Sequence, residues 1–306
     1  MSVLSRVSVR VPASTSNLGP GFDCLGLALE LHNELVLELH SEPGEPVVEV
    51  SGEGSESLPR GEANLMVRAA KLVVGERTDR RLVFKAANRI PLARGLGSSA
   101  AATVAGLFAA NRLLGAPILP KEELFRYAWT LEGHPDNVAP AIYGGLTVSV
   151  REGKDIRPWP LRAHRDLAVV VCVPEFELAT AAARKVLPRT VLREDAVDNV
   201  ARTGLLVSAL ERGRWEALPA ATLDRLHQPY RAGLVKGLAE VLRAAREAGE
   251  CGSALSGAGP SVVAFCRRGP DAARIGEAMR KAFSRHGVKS RIMVLGVDKE
   301  GVRVTR

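Results

Sequence analysis

Residues 91–110, PLARGLGSSAAATVAGLFAA, join a glycine-rich turn to a long run of small and apolar residues. Gly95 and Gly97 allow the backbone to approach a ligand closely, and Ser98 and Ser99 are typical helix N-cap residues. The alanine-rich continuation favours a buried helix, whose N-terminus would present amide groups to an anion. The stretch therefore predicts a phosphate-binding turn that opens a buried helix, although an ordinary loop before a core helix has the same pattern.

The composition of the 306-residue chain is that of an average globular protein, with 46% hydrophobic and 25% charged residues. This length favours two domains with a site between them. No apolar run is long enough for a membrane span, and the N-terminal residues look like a strand instead of a signal peptide. The four cysteines are widely separated and form no CxxC pair, so neither a disulfide framework nor a zinc site is indicated. We expect a cytoplasmic protein.

The charge balance of the chain is basic, with 42 Lys and Arg against 34 Asp and Glu, a net charge of +8. The basic residues are dispersed and aromatic residues make up only 4%. Nucleic-acid binding usually shows basic runs with interleaved aromatic residues. The distribution disfavours a nucleic-acid partner and leaves a negatively charged small substrate as the better interpretation.

A second polar stretch, residues 12–29 (PASTSNLGPGFDCLGLAL), follows a predicted strand at residues 3–11. Its serines, Asn17 and glycines predict a tight turn with polar side chains that can point inward. Asp23 lies among apolar neighbours, and such a carboxylate is rarely buried without a partner or a function. A plain surface turn is the alternative.

Residues 132–140, EGHPDNVAP, place Glu132, His134, Asp136 and Asn137 within six positions, after a predicted amphipathic helix. The spacing is not that of a zinc helix. Oxygen ligands near phosphates suit Mg²⁺, which takes one or two protein ligands and completes its shell with water and phosphate oxygens. A helix cap at Asp136 with a structural His134 is the alternative.

The polar, proline-rich stretch REGKDIRPWP (residues 151–160) predicts a boundary between a domain of residues 1–155 and one of residues 156–306. In the second half, Thr180 and Arg184 share one helical face, DRLHQPYR ends on Arg231, and SALSGAGPS (residues 253–261) forms another glycine-rich turn. Strands and helices interleave in both halves, which predicts an α+β fold.

Taken together, VPASTSNLGPGFDCLGLAL, GLGSSAAATVAG, EGHPDNVAPAIYGG, LHQPYR and LSGAGPS resemble, in order, the motifs of the homoserine kinases of the GHMP kinase superfamily. Five motifs spread over both halves are much more specific than one glycine-rich turn. The resemblance implies a two-domain GHMP kinase fold, with an N-terminal domain like domain 2 of ribosomal protein S5 and a C-terminal ferredoxin-like domain. ATP and substrate would lie in the cleft between them.

The resemblance also implies the ligands of this cleft. Mg²⁺ would lie between Ser99 and Glu132. ATP would lie against Asn64 on the adenine side and, at the triphosphate, against Pro91, Leu92, Ala93, Arg94, Gly95, Leu96, Gly97, Ser98, Ser99, Ala100 and Ala101. The substrate would contact Asn17, Asp23, His134, Asn137, Thr180, Arg184, Arg231 and Gly259. The family usually has Leu-Ser-Thr where this chain has Leu178-Ala179-Thr180, so that serine hydroxyl is missing.

The implied reaction is ATP-dependent phosphorylation of the side-chain hydroxyl of L-homoserine to O-phospho-L-homoserine, in threonine biosynthesis. Asp23 and Glu132 are the implied catalytic residues. Asp23 either accepts the hydroxyl proton late or only orients the hydroxyl, because a loose phosphoryl-transfer transition state needs little base catalysis. The resemblance further suggests a homodimer. A GHMP kinase for another small alcohol, such as mevalonate or shikimate, and a non-catalytic nucleotide-binding regulator are the alternatives.

Overall fold

The computed structural model describes residues 2–75 and 77–305. Its strands are β1 (Val3–Ser16), β2 (Leu25–Pro43), β3 (Val47–Gly52), β4 (Arg80–Asn88), β5 (Leu146–Glu152), β6 (Asp155–Leu161), β7 (Leu167–Pro174), β8 (Cys251–Leu255), β9 (Val262–Arg267), β10 (Ser290–Leu295) and β11 (Arg303–Thr305). Its α-helices are α1 (Leu65–Val74), α2 (Ser98–Leu113), α3 (Lys121–Glu132), α4 (Val138–Tyr143), α5 (Thr180–Lys185), α6 (Arg193–Arg212), α7 (Leu218–Ala221), α8 (Gln228–Arg231), α9 (Leu238–Ala248) and α10 (Asp271–Arg285).

The larger sheet has the strand order β11-β1-β2-β4-β3, and β5 and β6 join it through β2. Helix α2 packs on this sheet and against α1. A Cβ atom on Gly106 of α2 would lie 2.3 Å from the carbonyl oxygen of Met66 in α1. Glycine at this position therefore lets the two helices pack closely, and α2 is buried along nearly its whole length.

The smaller sheet is antiparallel with the order β10-β7-β9-β8. Helices α9 and α10 cover one face through a core that includes Val241 and Ile275. The other face contributes Val169, Val171 and Phe265 to the larger core of the molecule. The first and third of these four strands lie in the middle, which is the ferredoxin-like order. Two helix-covered sheets confirm the predicted α+β class.

Three local predictions differ from the structure. Strand β1 continues through residues 12–16, so the turn is shorter than the polar stretch suggested; the register shift after Pro12 accommodates that proline. Residues 253–255 belong to β8. The proline-rich residues 155–161 form β6, because β6 pairs with β5 alone and an edge strand tolerates Pro158 and Pro160.

The predicted boundary between residues 155 and 156 falls at the start of β6, which belongs to the larger sheet. The chain returns to that sheet at its other end, where β11 pairs with β1. Division of the chain at residue 155 stays a prediction. Every helix in the described residues is too short or too polar to cross a lipid bilayer.

Candidate active site

A cavity of about 590 Å³ lies where the turn before α2, the loop after β1, the α3–α4 connection and α5 meet. Residues from both halves of the chain line it, which agrees with the expected cleft. The predicted site residues in its wall are Asn17, Asp23, Pro91, Ala93, Arg94, Gly95, Leu96, Gly97, Ser98, Ser99, Ala100, Glu132, His134, Asn137, Thr180, Arg184 and Arg231.

Four predicted site residues lie outside the cavity wall: Asn64, Leu92, Ala101 and Gly259. The side-chain oxygen of Asn64 accepts a hydrogen bond from the Met66 amide at 2.9 Å and so caps α1. Its neighbour in the chain, Leu65, does line the cavity. The substrate and nucleotide contacts predicted for these four residues stay predictions.

The turn before α2 has space only for glycine at two positions. Gly95 and Gly97 adopt left-handed φ angles of +71° and +68°. A Cβ atom on Gly95 would lie 2.1 Å from the Ser256 carbonyl oxygen, and one on Gly97 would lie 2.0 Å from the Ser14 hydroxyl oxygen. The turn is thus packed between β1 and the turn that follows β8.

The N-cap of α2 is Gly97, not Ser98 or Ser99 as predicted. No side chain among the described residues caps this helix end. The reason is local packing, since the left-handed position beside Ser14 excludes a side chain and the Ser99 hydroxyl bonds elsewhere. Backbone amides at the start of α2 are consequently available to an anion in the cavity.

Glu132 is held at the end of α3 by two hydroxyl groups of α2. The Ser99 hydroxyl lies 2.8 Å from Oε2 of Glu132, and the Thr103 hydroxyl donates to Oε1 at 2.6 Å. Ser99 and Glu132 both line the cavity. A hydroxyl and a carboxylate beside a phosphate-binding helix end are oxygen donors that fit Mg²⁺, which needs only one or two protein ligands.

In the described part of the chain, no three His, Cys, Asp or Glu side chains cluster as metal ligands.

The loop between β1 and β2 is strained. Asn17, Leu18 and Asp23 adopt left-handed φ angles of 66°, 52° and 57°, each of which costs a non-glycine residue roughly 1 kcal/mol or more. The Asn17 side chain holds this loop in place. Its oxygen accepts from the Asp23 amide at 2.9 Å, and its nitrogen donates to the Gly257 carbonyl at 2.9 Å. These two hydrogen bonds hold the loop in its strained conformation and so fix the backbone position of Asp23.

Asp23 and Arg184 form a bidentate ion pair between the β1–β2 loop and α5. The two N–O distances are 2.7 and 3.0 Å. The hydrogen bonds that Arg184 donates to Asp23, and the charge of Asp23, raise the pKa of Arg184 above its ordinary value. Both groups can also bind a ligand, since a guanidinium pairs with a carboxylate and a carboxylate accepts a hydrogen bond from an ammonium or a hydroxyl group.

Arg231 is a buried guanidinium in the cavity wall, with only 2% of its surface exposed. Its Nε donates to the Ala183 carbonyl at 3.2 Å, and one Nη donates to the Gly257 carbonyl at 3.1 Å. Burial and the charge of Arg184 lower the pKa of Arg231, although an arginine stays protonated at physiological pH. The two guanidiniums make this end of the cavity a site for an anionic group.

Asn137 and His134 hold the third side of the cavity. The Asn137 side chain accepts from the Ser14 hydroxyl and donates to the Ser16 hydroxyl, both at 2.9 Å, which ties the start of α4 to β1. His134 Nδ1 lies 3.1 Å from a carboxylate oxygen of Asp136. Burial alone would lower the pKa of His134, but the hydrogen bond and charge of Asp136, with Glu132, outweigh it and raise that pKa.

This raised pKa makes the stability contribution of His134 depend on pH. The folded-state pKa lies above the unfolded value of about 6.5, so the stabilisation is complete below that pH and disappears as the pH rises through the folded-state value. We expect the difference in unfolding free energy between the wild type and His134→Gln, measured with urea from pH 5 to 9, to decrease as the pH rises. A difference that grows with pH contradicts the assigned cause; Asp136→Asn should abolish the trend.

Sequence reasoning left several wall residues unassigned. Ser16, Asp136 and Gly257 lie inside the polar stretches that carried the predictions, so their residue types were a usable signal. The other unassigned wall residues are glycine or have small or apolar side chains, which give no signal of a site in the sequence. Their position in the wall depends on the fold: Leu65, Leu131, Gly133, Ala181 and Ala258.

The chain matches two family models, the GHMP kinases N terminal domain over residues 64–145 and the GHMP kinases C terminal domain over residues 206–285. It is 47% identical to a homoserine kinase of Moorella thermoacetica, over 97% of this chain and 99% of that protein. A homoserine kinase of Carboxydothermus hydrogenoformans is 43% identical over 96% of this chain and 95% of that protein.

The crystal structure of homoserine kinase from Cytophaga hutchinsonii superposes with a TM-score of 0.88 at 30% identity, covering 100% of this chain and 99% of that one. The predicted two-domain GHMP kinase fold is confirmed. With identity of this level over nearly its whole length, the chain belongs to the homoserine kinase family of the GHMP kinases.

Proposed function

We propose that this protein transfers the γ-phosphate of ATP to the side-chain hydroxyl of L-homoserine, which yields O-phospho-L-homoserine and ADP in threonine biosynthesis. One observation carries the proposal. A single cavity has a glycine turn at a helix N-terminus on one side, and on another the Asp23 carboxylate with the guanidiniums of Arg184 and Arg231. Similarity to homoserine kinases over nearly the whole chain supports the same substrate.

The nucleotide end is the turn of residues 95–101. Its backbone amides bind the triphosphate because no side chain of the described residues caps α2 and because two left-handed glycines bring the backbone close to the ligand. The adenine side lies towards Asn64 and Leu65. Ser99 and Glu132 hold Mg²⁺, which when bound neutralises phosphate charge.

The homoserine end lies between the β1–β2 loop and α5. Arg184 and Arg231 bind the substrate carboxylate, because a planar guanidinium matches a carboxylate with two hydrogen bonds. The rest of the homoserine molecule is contacted by six residues: Asn17, Asp23, His134, Asn137, Thr180 and Gly259.

In the phosphoryl transfer, the homoserine oxygen forms a bond to the γ-phosphorus while the bond from that phosphorus to the ADP oxygen breaks. Asp23 orients the hydroxyl through a hydrogen bond and takes its proton late. Little base strength is required, because the nucleophile keeps its proton through most of a loose transition state. The two hydrogen bonds from Arg184 hold the Asp23 carboxylate in place before the substrate binds.

Coupled detection of ADP with L-homoserine, mevalonate and shikimate as acceptors tests this function. We expect turnover with homoserine at least about a hundredfold above the other two, because an acceptor of another shape held by the same arginines would place its hydroxyl away from Asp23 and the γ-phosphate, and a misplacement of about 1 Å can cost about a hundredfold in rate. Preference for mevalonate or shikimate would make the protein a different GHMP kinase. ATP binding without ADP release from any acceptor would make it a regulator.

In the same assay, Asp23→Ala should lose most of its turnover, and Asp23→Asn separates the two roles of the carboxylate. An Asn variant that keeps nearly full turnover excludes proton acceptance and leaves orientation. An Ala variant that also keeps it excludes both roles.

A further inference from the structure

His227 is completely buried in the DRLHQPYR segment, behind the substrate end of the cavity. Its Nε2 lies 2.7 Å from the carbonyl oxygen of Gly19 in the β1–β2 loop. Its Nδ1 lies 3.1 Å from a guanidinium nitrogen of Arg231. A single imidazole ring therefore contacts both the loop that carries Asp23 and the arginine assigned to the substrate carboxylate.

The two neighbours decide the form of the imidazole. A carbonyl oxygen only accepts hydrogen bonds, so Nε2 must carry the hydrogen that it donates to Gly19. A guanidinium only donates, so Nδ1 must present its lone pair to Arg231. His227 is thus a neutral imidazole protonated on Nε2. If Nδ1 were also protonated, two hydrogen-bond donors of like charge, the imidazolium and the Arg231 guanidinium, would lie against each other.

The charged groups around the ring agree with this neutral form. Burial is the main cause that lowers the pKa of His227, and the charge of Arg231 acts in the same direction, while Asp224 and Asp23 oppose both. The carboxylate of Asp224 is occupied by other donors, since it accepts the backbone amides of His227 at 3.0 Å and Gln228 at 2.7 Å.

Phe22 closes the cluster from the side of the loop. Its ring stacks on the imidazole of His227 at 5.1 Å, with 24° between the planes. The Arg231 guanidinium carbon lies 5.4 Å from the centre of the same ring. The guanidinium is therefore oriented by His227, by Phe22 and by two carbonyl groups. Its remaining nitrogen, Nη2, makes no hydrogen bond to the described residues and is left for an anion.

We infer that His227 is a positioning residue for the substrate: the ring holds the Arg231 guanidinium at a set distance from the loop that carries Asp23. This inference rests on the proposed function. The ring lies outside the cavity wall and acts through Arg231, so its loss weakens homoserine binding and leaves ATP binding unchanged.

Two variants test this role. His227→Phe keeps an aromatic ring that can stack on Phe22 but removes both hydrogen bonds. His227→Asn removes the bond to Gly19 but keeps an oxygen near the position of Nδ1, which can accept from Arg231. We expect His227→Phe to raise the KM for homoserine about tenfold or more, because a hydrogen bond to a charged group is lost. In His227→Asn, the KM for homoserine should return most of the way to the wild-type value. The KM for ATP should change less than about twofold in both variants.

His32→Phe is the matched control. His32 is also buried between an arginine and an acceptor, since its Nε2 lies 2.7 Å from Asp298 and its Nδ1 lies 2.9 Å from an Arg10 nitrogen, but it lies on β2 outside the cavity wall. This variant should leave the KM for homoserine unchanged.

Three results would overturn the inference. The first is an equal KM for homoserine in His227→Phe and His227→Asn, and the second is a parallel rise of the KM for homoserine and the KM for ATP, which indicates a general loss of structure. The third is failure of both His227 variants to fold while His32→Phe folds. A wild-type protein inactive on homoserine refutes the proposed function instead. An active wild type with an unchanged homoserine KM in the variants refutes only the role of His227.

Discussion

Glu132→Gln should lower kcat/KM for ATP by about 100- to 1000-fold, the usual loss when one group that stabilises transition-state charge is removed. The substitution keeps the shape of the side chain and one oxygen that can accept from both Ser99 and Thr103, as Oε1 does at 2.9 and 2.6 Å, but it removes the negative charge at the cavity wall. If Glu132 holds Mg²⁺, the Mg²⁺ concentration for half-maximal activity should rise as well. Titration of activity with Mg²⁺ at fixed ATP measures both effects.

Glu123→Gln is the control for this prediction. Glu123 is on the same helix, α3, where it accepts a hydrogen bond from Tyr127, and it lies outside the cavity wall. Its variant should stay within about twofold of wild type, as is usual for a surface substitution away from the site. Reduced activity of Glu132→Gln with an unchanged Mg²⁺ dependence would remove the metal role from Glu132.

Gly95→Ala should destabilise the protein by about 2–5 kcal/mol, which is the sum of a left-handed alanine and an overpacked contact. The added Cβ atom would lie 2.1 Å from the Ser256 carbonyl oxygen, and backbone atoms cannot rotate away as a flexible side chain can. The turn must shift, so its amides no longer fit the triphosphate. Urea unfolding measures the stability, and a large rise in the KM for ATP should accompany it.

Gly153→Ala separates the two contributions. Gly153 has a similar φ of +64° in the β5–β6 turn, but a Cβ atom there would meet nothing within 4 Å among the described residues. It should cost only about 1 kcal/mol, from the backbone conformation, and leave ATP kinetics unchanged. Equal losses in the two variants would show that packing against Ser256 contributes nothing.

The course of α2 was predictable because its signal is local. A run of small and apolar residues without a charged face specifies a buried helix, and the helix is buried as predicted. Its N-cap was not predictable in the same way. Ser98 and Ser99 are good caps in isolation, but Ser14 and Asn137 leave room only for glycine at the cap, and Glu132 binds the Ser99 hydroxyl. Both facts depend on residues distant in the chain.

The β5–β6 hairpin shows the opposite case. Its prolines and charged residues predict a linker, since local propensity disfavours a strand there. The tertiary structure overrides that propensity because β6 lies at a sheet edge, where a missing amide hydrogen costs no ladder bond.

By itself, the sequence determined the class of the protein, the order of its motifs and the types of side chain in its cleft, because residue types and short spacings record which chemistry is possible. Only the tertiary structure decided that residues 91–110 form one wall of a cavity. It also decided that Asp23 pairs with Arg184, 161 positions away, and that His227 joins Gly19 to Arg231. Such contacts join segments that are brought together by the packing of two sheets, and no local pattern along the chain specifies which distant groups will meet.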